Sequence, residues 1–265
     1  MRVATFNLHA GVDGWGRPTG ALDAAVALAP DILICPETWR GPRGDLFEEL
    51  SQRLSMTGTF VPLAMAERAH GRHLGTSWQP WRAHLTGEHG LYFSEHRALT
   101  VSQRTRRERA DLESGEWGLS FLTRLPVESL RVESLGRLPR EKVRRALIVA
   151  TLSLEGRRVN VVAIHGAHIS HGSFRQYRRV RELVAGLDAH VPIILGGDFN
   201  SWRPLLRVFL PGWSSLVRSR TWPARHPHSQ IDHLLGRGPW RARGGGAIDA
   251  GSDHRLLYAD VDLGD

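Results

Sequence analysis

A chain of 265 residues with 41% hydrophobic and 23% charged content is long enough for one sizeable core and lies in the ordinary globular range. Cys35 is its one cysteine, which excludes an internal disulfide framework and a cysteine zinc site, and no run reaches the ~18 apolar residues of a membrane span. The formal net charge of +8 suits an anionic partner, nucleic acid or a membrane surface, but of the 35 basic residues all except Lys142 are arginine, a bias equally expected of a GC-rich bacterial genome. Met1-Arg2 leads into a strand-like segment without a signal-peptide pattern, so a cytoplasmic monomer is the expectation.

The pattern along the chain alternates strands with helices and shows no repeat or linker, which predicts a single domain over 1–265. Residues 2–6 read as a short strand. Residues 20–29 read as a helix with Leu22, Ala25, Val26 and Ala29 on one face, stopped by Pro30, and 32–35 as a buried strand. The stretch from about 64 to 115, rich in His, Arg, Gly and Trp, reads as a long loop excursion over one face. Its His70, His73, His84, His89 and His96 lack a recognisable zinc spacing, while Trp78 and Trp81 are of a kind that stacks on bases or grips a headgroup. Residues 146–154 and 159–164 predict a hairpin turning at Glu155-Gly156. Ser173 and Gln176 have the spacing of a capping box, opening a helix with Tyr177, Val180, Leu183, Val184 and Leu187 on its apolar face. Residues 191–195 form a buried strand, and 257–263 alternate as a closing one.

Polar residues recur at the ends of these strands, where open α/β sheets gather their sites. They are Asn7, Glu37, His165, the run Gly196-Gly197-Asp198-Phe199-Asn200, then Ile231-Asp232-His233 and Gly251-Ser252-Asp253-His254. Each is commonplace by itself, since Asp, Asn and Gly are ordinary turn residues; the set as a whole suits phosphate chemistry. Mg²⁺ keeps several waters beside one or two carboxylates, a role open to Glu37 and Asp253. Asp198 is placed to orient or deprotonate water, Asn7 and Asn200 to position it and the phosphate, and His254 with Asp232 to act as a braced histidine. Arg144, with Arg145, precedes a strand and offers a fork for substrate phosphate.

Seven segments in this order resemble the endonuclease/exonuclease/phosphatase superfamily, which includes pancreatic-type deoxyribonucleases, abasic-site endonucleases, inositol-phosphate phosphatases and neutral sphingomyelinases. They are Arg-Val-Ala-Thr-Phe-Asn7, Asp-Ile-Leu-Ile-Cys-Pro-Glu37, Trp117-Gly-Leu-Ser-Phe-Leu-Thr-Arg124, Val-Val-Ala-Ile-His165, Ile-Leu-Gly-Gly-Asp198-Phe-Asn200, Ile-Asp232-His-Leu-Leu and Gly-Ser-Asp253-His254. The resemblance implies a four-layer α/β sandwich of two mixed sheets flanked by helices, and one or two Mg²⁺ or Mn²⁺ ions. It implies Glu37 and Asp253 as metal ligands and Asp198 and Asn200 at the nucleophilic water. It further implies Asp232 paired with His254, and His165 at the scissile phosphate, with His168 the rival for that place. A phosphate-ester substrate follows. Nucleic acid, lipid headgroups and small esters stay open, as does a non-catalytic binding module, and neither Asp198 nor His254 is singled out as the base.

Overall fold

The computed structural model describes residues 1–13, 17–70, 91–93, 111–139, 141 and 143–264. The first part of the chain runs β1 (Arg2–Thr5), α1 (Ala21–Leu28), β2 (Ile32–Gly41), β3 (Gly44–Asp45), α2 (Leu46–Leu54) and β4 (Thr57–His70). It continues through β5 (Leu91–Phe93), β6 (Asp111–Thr123), β7 (Val127–Gly136), β8 (Arg145–Leu154), β9 (Arg157–His165) and α3 (Phe174–Ala185). The last part is β10 (Ile193–Asp198), α4 (Arg203–Phe209), β11 (Ser214–Ser215), β12 (Asp232–Arg237), β13 (Trp240–Ile248) and β14 (Leu256–Leu263). Among the described residues these strands form two mixed sheets. One has the order β13-β14-β1-β2-β6-β4-β5 with β3 beside β2, the other β11-β12-β10-β9-β8-β7.

Two-residue periodicity divides the second sheet into two apolar faces. Ile148, Ala150, Leu152, Val159, Val161, Ala163, Ile194 and Leu234 pack with Val3, Ile32 and Ile34 in the core between the sheets. Leu147, Val149, Val162, Ile164, Ile193 and Leu195 face the other way, onto Tyr177, Val180 and Val184 of α3 and Leu206 of α4. Helices α1 and α2 add Leu22, Ala25, Leu46, Leu50 and Leu54 to the first sheet. This is the expected sandwich of two face-to-face sheets with helices outside. The β8–β9 hairpin turns at Glu155-Gly156 as expected, with Leu154 opposite Arg157 and both turn residues at positive φ (52° and 78°), the requirement of a tight two-residue connection.

Two local expectations are corrected. Ser173 has helical angles and makes no capping bond. Gln176 Oε1 instead accepts from the Ala167 N–H at 2.9 Å, tying the segment after His165 to the first turn of α3. The stretch expected as loop from 64 to 115 begins and ends as strand, because β4 pairs with β6 from Thr57↔Thr123 to His70↔Asp111. The side chains of His70, His73, His84, His89, His96, Trp78 and Trp81 lie outside the described residues.

That ribbon contains a buried ion pair. Arg68 stands opposite Glu113, with Nη2 3.0 Å from Oε2. Arg68 Nη1 also donates to Ala10 O at 2.6 Å, and Glu113 Oε1 accepts from the Arg43 N–H at 2.9 Å. Burial pulls the Arg68 guanidinium below its ordinary value against the Glu113 charge. Burial also opposes the Glu113 charge, but the Arg43 N–H and Arg68 outweigh it and hold that carboxyl below the usual range. Such a pair adds little net stability yet is costly to halve. Arg68→Ala is expected to lose about 3–5 kcal/mol in urea unfolding. Since folded Glu113 binds its proton more weakly than the unfolded chain, its contribution is full above about pH 4.3 and fades as pH falls through the lowered folded value. The stability gap between wild type and Glu113→Gln should therefore narrow on acidification.

Candidate active site

The parallel pairs β1/β2 and β9/β10 bring strand ends of both sheets to one place. In the second sheet the register sets His165 opposite Asp198 on β9/β10, and Asp198 opposite Asp232 on the antiparallel pair β10/β12. The three therefore form one row across three strands, and alternation turns that row toward the first sheet. Close packing requires the glycines before Asp198. A Cβ on Gly196 would lie 2.8 Å from both Ile34 Cδ1 and Leu234 Cδ2, and one on Gly197, at φ +140°, would lie 1.9 Å from Ile164 O.

From the first sheet come Asn7, just beyond β1, and Glu37. Glu37 sits at a register shift between Pro36 and Thr38 with φ 56°, a bulge that lifts its side chain out of the ladder. The Asn7 Oδ1 accepts from the His9 N–H at 3.0 Å, which turns the amide nitrogen toward the carboxylates. Asn7 Nδ2 donates to Glu37 Oε1 at 2.9 Å and to Asp198 Oδ2 at 3.1 Å. The backbone of Asn7 is held from below by Ser252, whose hydroxyl donates to its carbonyl at 2.8 Å. Asn200, at φ 49°, closes the turn after β10. Its N–H donates to Asp198 Oδ1 at 2.7 Å and its Nδ2 to Gly166 O at 3.1 Å.

The loop before β14 supplies His254, whose Nδ1 is 2.8 Å from Asp232 Oδ2 and whose Nε2 is 3.9 Å from Asp198 Oδ2. Asp232 is fully buried; Thr221 Oγ1 accepts from its N–H at 3.3 Å. Burial disfavours the His254 imidazolium, but the charges of Asp232, Asp253 and Asp198 and the Asp232 hydrogen bond outweigh burial and hold it well above the ordinary histidine value. Burial, then the Asp232 charge, pushes Asp198 up to about 7 against the pull of His254 and the Asn200 N–H. His165 is buried and lies near the positive charges of Arg145 and His254, which together force it well below its ordinary value, to neutrality at pH 7. Its Nε2 is 3.9 Å from Glu37 Oε1 and 3.7 Å from Asp198 Oδ2.

Asn7, Glu37, His165, Asp198, Asn200, Asp232 and His254 are thus brought together. Three other candidates sit apart. Asp253 is half-buried, with Oδ1 3.2 Å from Ser252 Oγ, and its charge acts on His254. His168 is exposed, its ring 6.0 Å from that of His171, so of the two histidines it is His165 that lies among the converged side chains. Arg144 is exposed, whereas Arg145 is 7% exposed, with Nη2 3.1 Å from Glu141 Oε1 and Cζ 5.4 Å from the Trp117 ring. The inward arginine is the second of the pair: Arg145 is the first residue of β8, and its guanidinium reaches Trp117 of β6 in the other sheet. Trp117 had no assigned role; its indole N–H donates to Glu37 Oε2 at 3.4 Å and its ring centroid is 5.1 Å from that of His165.

Among the described residues, two groups of donor atoms could hold a metal ion, Glu37–His165–Asp198 and Asp198–Asp232–His254, each within 4.8 Å. The set fits a hard divalent cation, being mainly carboxylate, and Asp232 Oδ1 is buried without a hydrogen-bond partner among the described residues. In Asp232→Asn the His254 imidazole loses the carboxylate charge that raises its proton affinity, although the amide oxygen can still accept its N–H. Its NMR titration midpoint is expected to move to lower pH than in the wild type; an unchanged midpoint would contradict the pairing.

No curated protein matches the chain by sequence. In structure it is similar to an endonuclease/exonuclease/phosphatase from Beutenbergia cavernae, with TM-score 0.65 at 21% identity, covering 100% of this chain and 72% of that one. It is also similar to a mannosyl-6-phosphatase from Bacteroides thetaiotaomicron, with TM-score 0.64 at 13% identity over 99% of this chain and 100% of the other. The human Nocturnin catalytic domain, whose structure holds a sulfate anion, gives TM-score 0.62 at 16% identity over 100% of this chain and 93% of the other. At these identities the likeness is one of fold. The sequence profile of the Endonuclease/Exonuclease/phosphatase family matches residues 4–254, from β1 to His254. With a buried cluster suited to a divalent cation at the strand ends, the chain belongs to the endonuclease/exonuclease/phosphatase family and is a hydrolase of phosphate esters.

Proposed function

We propose that the chain is a Mg²⁺- or Mn²⁺-dependent phosphodiesterase that hydrolyses its substrate by in-line attack of water, with nucleic acid as the leading substrate. The observation that carries the reading is the buried row His165–Asp198–Asp232 facing Asn7 and Glu37, with His254 paired to Asp232. When bound, the cation neutralises charge developing on the phosphate and leaving oxygens. Glu37 is the carboxylate assigned to it, with Asp253 on the flank; one or two carboxylates are what an ion that keeps several waters needs.

The side chains divide the remaining work. Asp198, poised at about 7, accepts the proton of the attacking water, a carboxylate tuned to neutral pH by burial. Asn200 fixes Asp198 through its N–H and directs its amide to the water and phosphate. His254, kept protonated by Asp232, offers an N–H to a phosphate oxygen. Neutral His165 borders the same space and contacts the scissile phosphate. Asn7 holds Glu37 and Asp198 at a fixed separation. Arg144 and His168, both exposed, suit outlying phosphates of a long substrate, in keeping with the net charge of +8. A second reading, hydrolysis of a small organic ester, is favoured by a cavity of about 400 Å³ lined in part by His171 and Phe174.

Nicking of supercoiled plasmid with Mg²⁺ or Mn²⁺ tests the reading. It should vanish with EDTA, weaken steeply with added salt and fall about 10²–10⁴-fold in Asp198→Ala. Turnover of bis(p-nitrophenyl) phosphate without nicking would move the substrate to small esters. Folded, metal-supplied protein that cleaves neither would sink the proposal.

A further inference from the structure

The cavity of about 400 Å³ is bounded by Leu138, Pro139, Ile169, His171, Phe174 and Arg175. Its walls come from the turn before β8 and from the segment joining His165 to α3. Phe174 is 45% exposed, yet its ring is fixed, stacked on Phe209 at 6.4 Å and 28°. Phe209 stacks on Tyr177 at 6.2 Å, and Tyr177 on Phe199 at 6.2 Å, the residue between Asp198 and Asn200. The Tyr177 hydroxyl also donates to Phe199 O. A continuous aromatic stack therefore runs from the cavity to the turn that carries Asp198.

A second, polar route leads from the same cavity to Glu37. His171 Nδ1 is 3.4 Å from Glu141 Oε2, and the other Glu141 oxygen holds Arg145 at 3.1 Å. Arg145 lies over Trp117, which donates to Glu37. Arg145 Nε and Nη1 are buried and without a hydrogen-bond partner among the described residues, and Arg145 stands behind His171 and Glu141 rather than in the cavity wall. At the outer end Arg175 is exposed and makes no ion pair among the described residues. The Glu141 carboxylate is already engaged by Arg145 and His171. The cavity thus joins a flat apolar wall to the exposed guanidinium of Arg175 and the imidazole of His171, and it is large enough for a small ring compound.

We propose that this cavity is a substrate subsite for a ring compound carrying a second phosphate, the ring against Phe174 and the second phosphate on Arg175 and His171. The inference rests on the phosphoesterase reading above and narrows it to esters with two anionic groups. Nucleotides and sugar bisphosphates share this chemistry, and the aromatic wall separates them, because a nucleobase gains from stacking on a ring face.

The test is calorimetric titration of the full chain in EDTA, which prevents metal-dependent turnover, with adenosine 3′,5′-bisphosphate, fructose 1,6-bisphosphate and inorganic phosphate. One bisphosphate is expected to bind at least about tenfold more tightly than inorganic phosphate, and Arg175→Gln to remove about tenfold of that affinity. Phe174→Leu keeps the apolar volume at an exposed position and removes only the ring. An approximately fivefold loss for the adenosine compound marks a nucleotide subsite, and the same loss for the fructose compound marks a sugar-phosphate one. Bisphosphate affinities unchanged in both variants, or no greater than that of inorganic phosphate, overturn the proposal. Hydrolysis of bis(p-nitrophenyl) phosphate by the wild-type chain with Mg²⁺ is read separately. Turnover without selective bisphosphate binding removes the subsite and leaves the phosphoesterase, and selective binding without turnover does the reverse.

Discussion

One amide nitrogen spans the interface between the sheets. Asn7 Nδ2 donates at once to Glu37 on the first sheet and to Asp198 on the second, and its oxygen is committed to the His9 N–H. Two carboxylates that would repel each other are held at a set distance by a neutral group with two donors. A cation would be held between the same acidic faces, so the bridge preserves the geometry of the site before any ion arrives. This works because the sheets meet closely at that end, where Gly196 lets Ile34 and Leu234 approach.

Burial then sorts the ionisable groups by their neighbours. Asp232 is paired with His254, while Asp198, one strand away, is pushed upward by burial and by the Asp232 charge. His165 and His254 are both buried, yet one is driven neutral and the other held protonated, because His254 has three carboxylates acting on it and His165 has Arg145 and His254. Unlike proton affinities within a few ångströms are what acid–base chemistry at neutral pH requires. The cost of desolvating four such groups is carried by packing elsewhere in the sandwich.

The strand ends carrying Asn7, Glu37, His165, Asp198 and Asp232 were legible because the runs before them are apolar and short, and register then had to align them. The β8–β9 hairpin was readable from its turn. Helix α2 went unread although Asp45 caps it, accepting from the N–H groups of Phe47 and Glu48 at 3.0 and 3.1 Å; three buried leucines among six polar or partly exposed neighbours gave a weak stripe. The outer parts of β4 and β6 were read as loop because a polar, His- and Arg-rich sequence hid one buried pair, Arg68 with Glu113. Alternation along β8 did not identify the inward arginine, since Arg145 shares the parity of Leu147 and Val149 yet its guanidinium lies over Trp117 of the first sheet. Part of the resemblance to the family proved architectural. Arg124 donates to Leu54 O, Ala29 O and Pro30 O at 3.2, 3.1 and 2.8 Å, holding the C-terminal ends of α2 and α1 far from any chemistry.

The same device appears twice on the strand pair that presents Glu37. Trp39 and Trp117 are cross-strand partners on β2 and β6, each beneath a buried arginine, Arg68 at 4.9 Å and Arg145 at 5.4 Å. Each arginine is paired to a buried glutamate, Glu113 or Glu141. Each indole N–H goes to a glutamate, Trp39 to Glu113 and Trp117 to Glu37. Cation–π contact and the ion pair together fix the guanidinium plane against the ring. Because the two tryptophans are neighbours in the ladder, the bulge at Glu37 is gripped from both sides by groups that cannot shift independently. A carboxylate assigned to a metal must keep its oxygens in place through turnover, and here that constraint is met by two buried ion pairs that add little to stability and much to position.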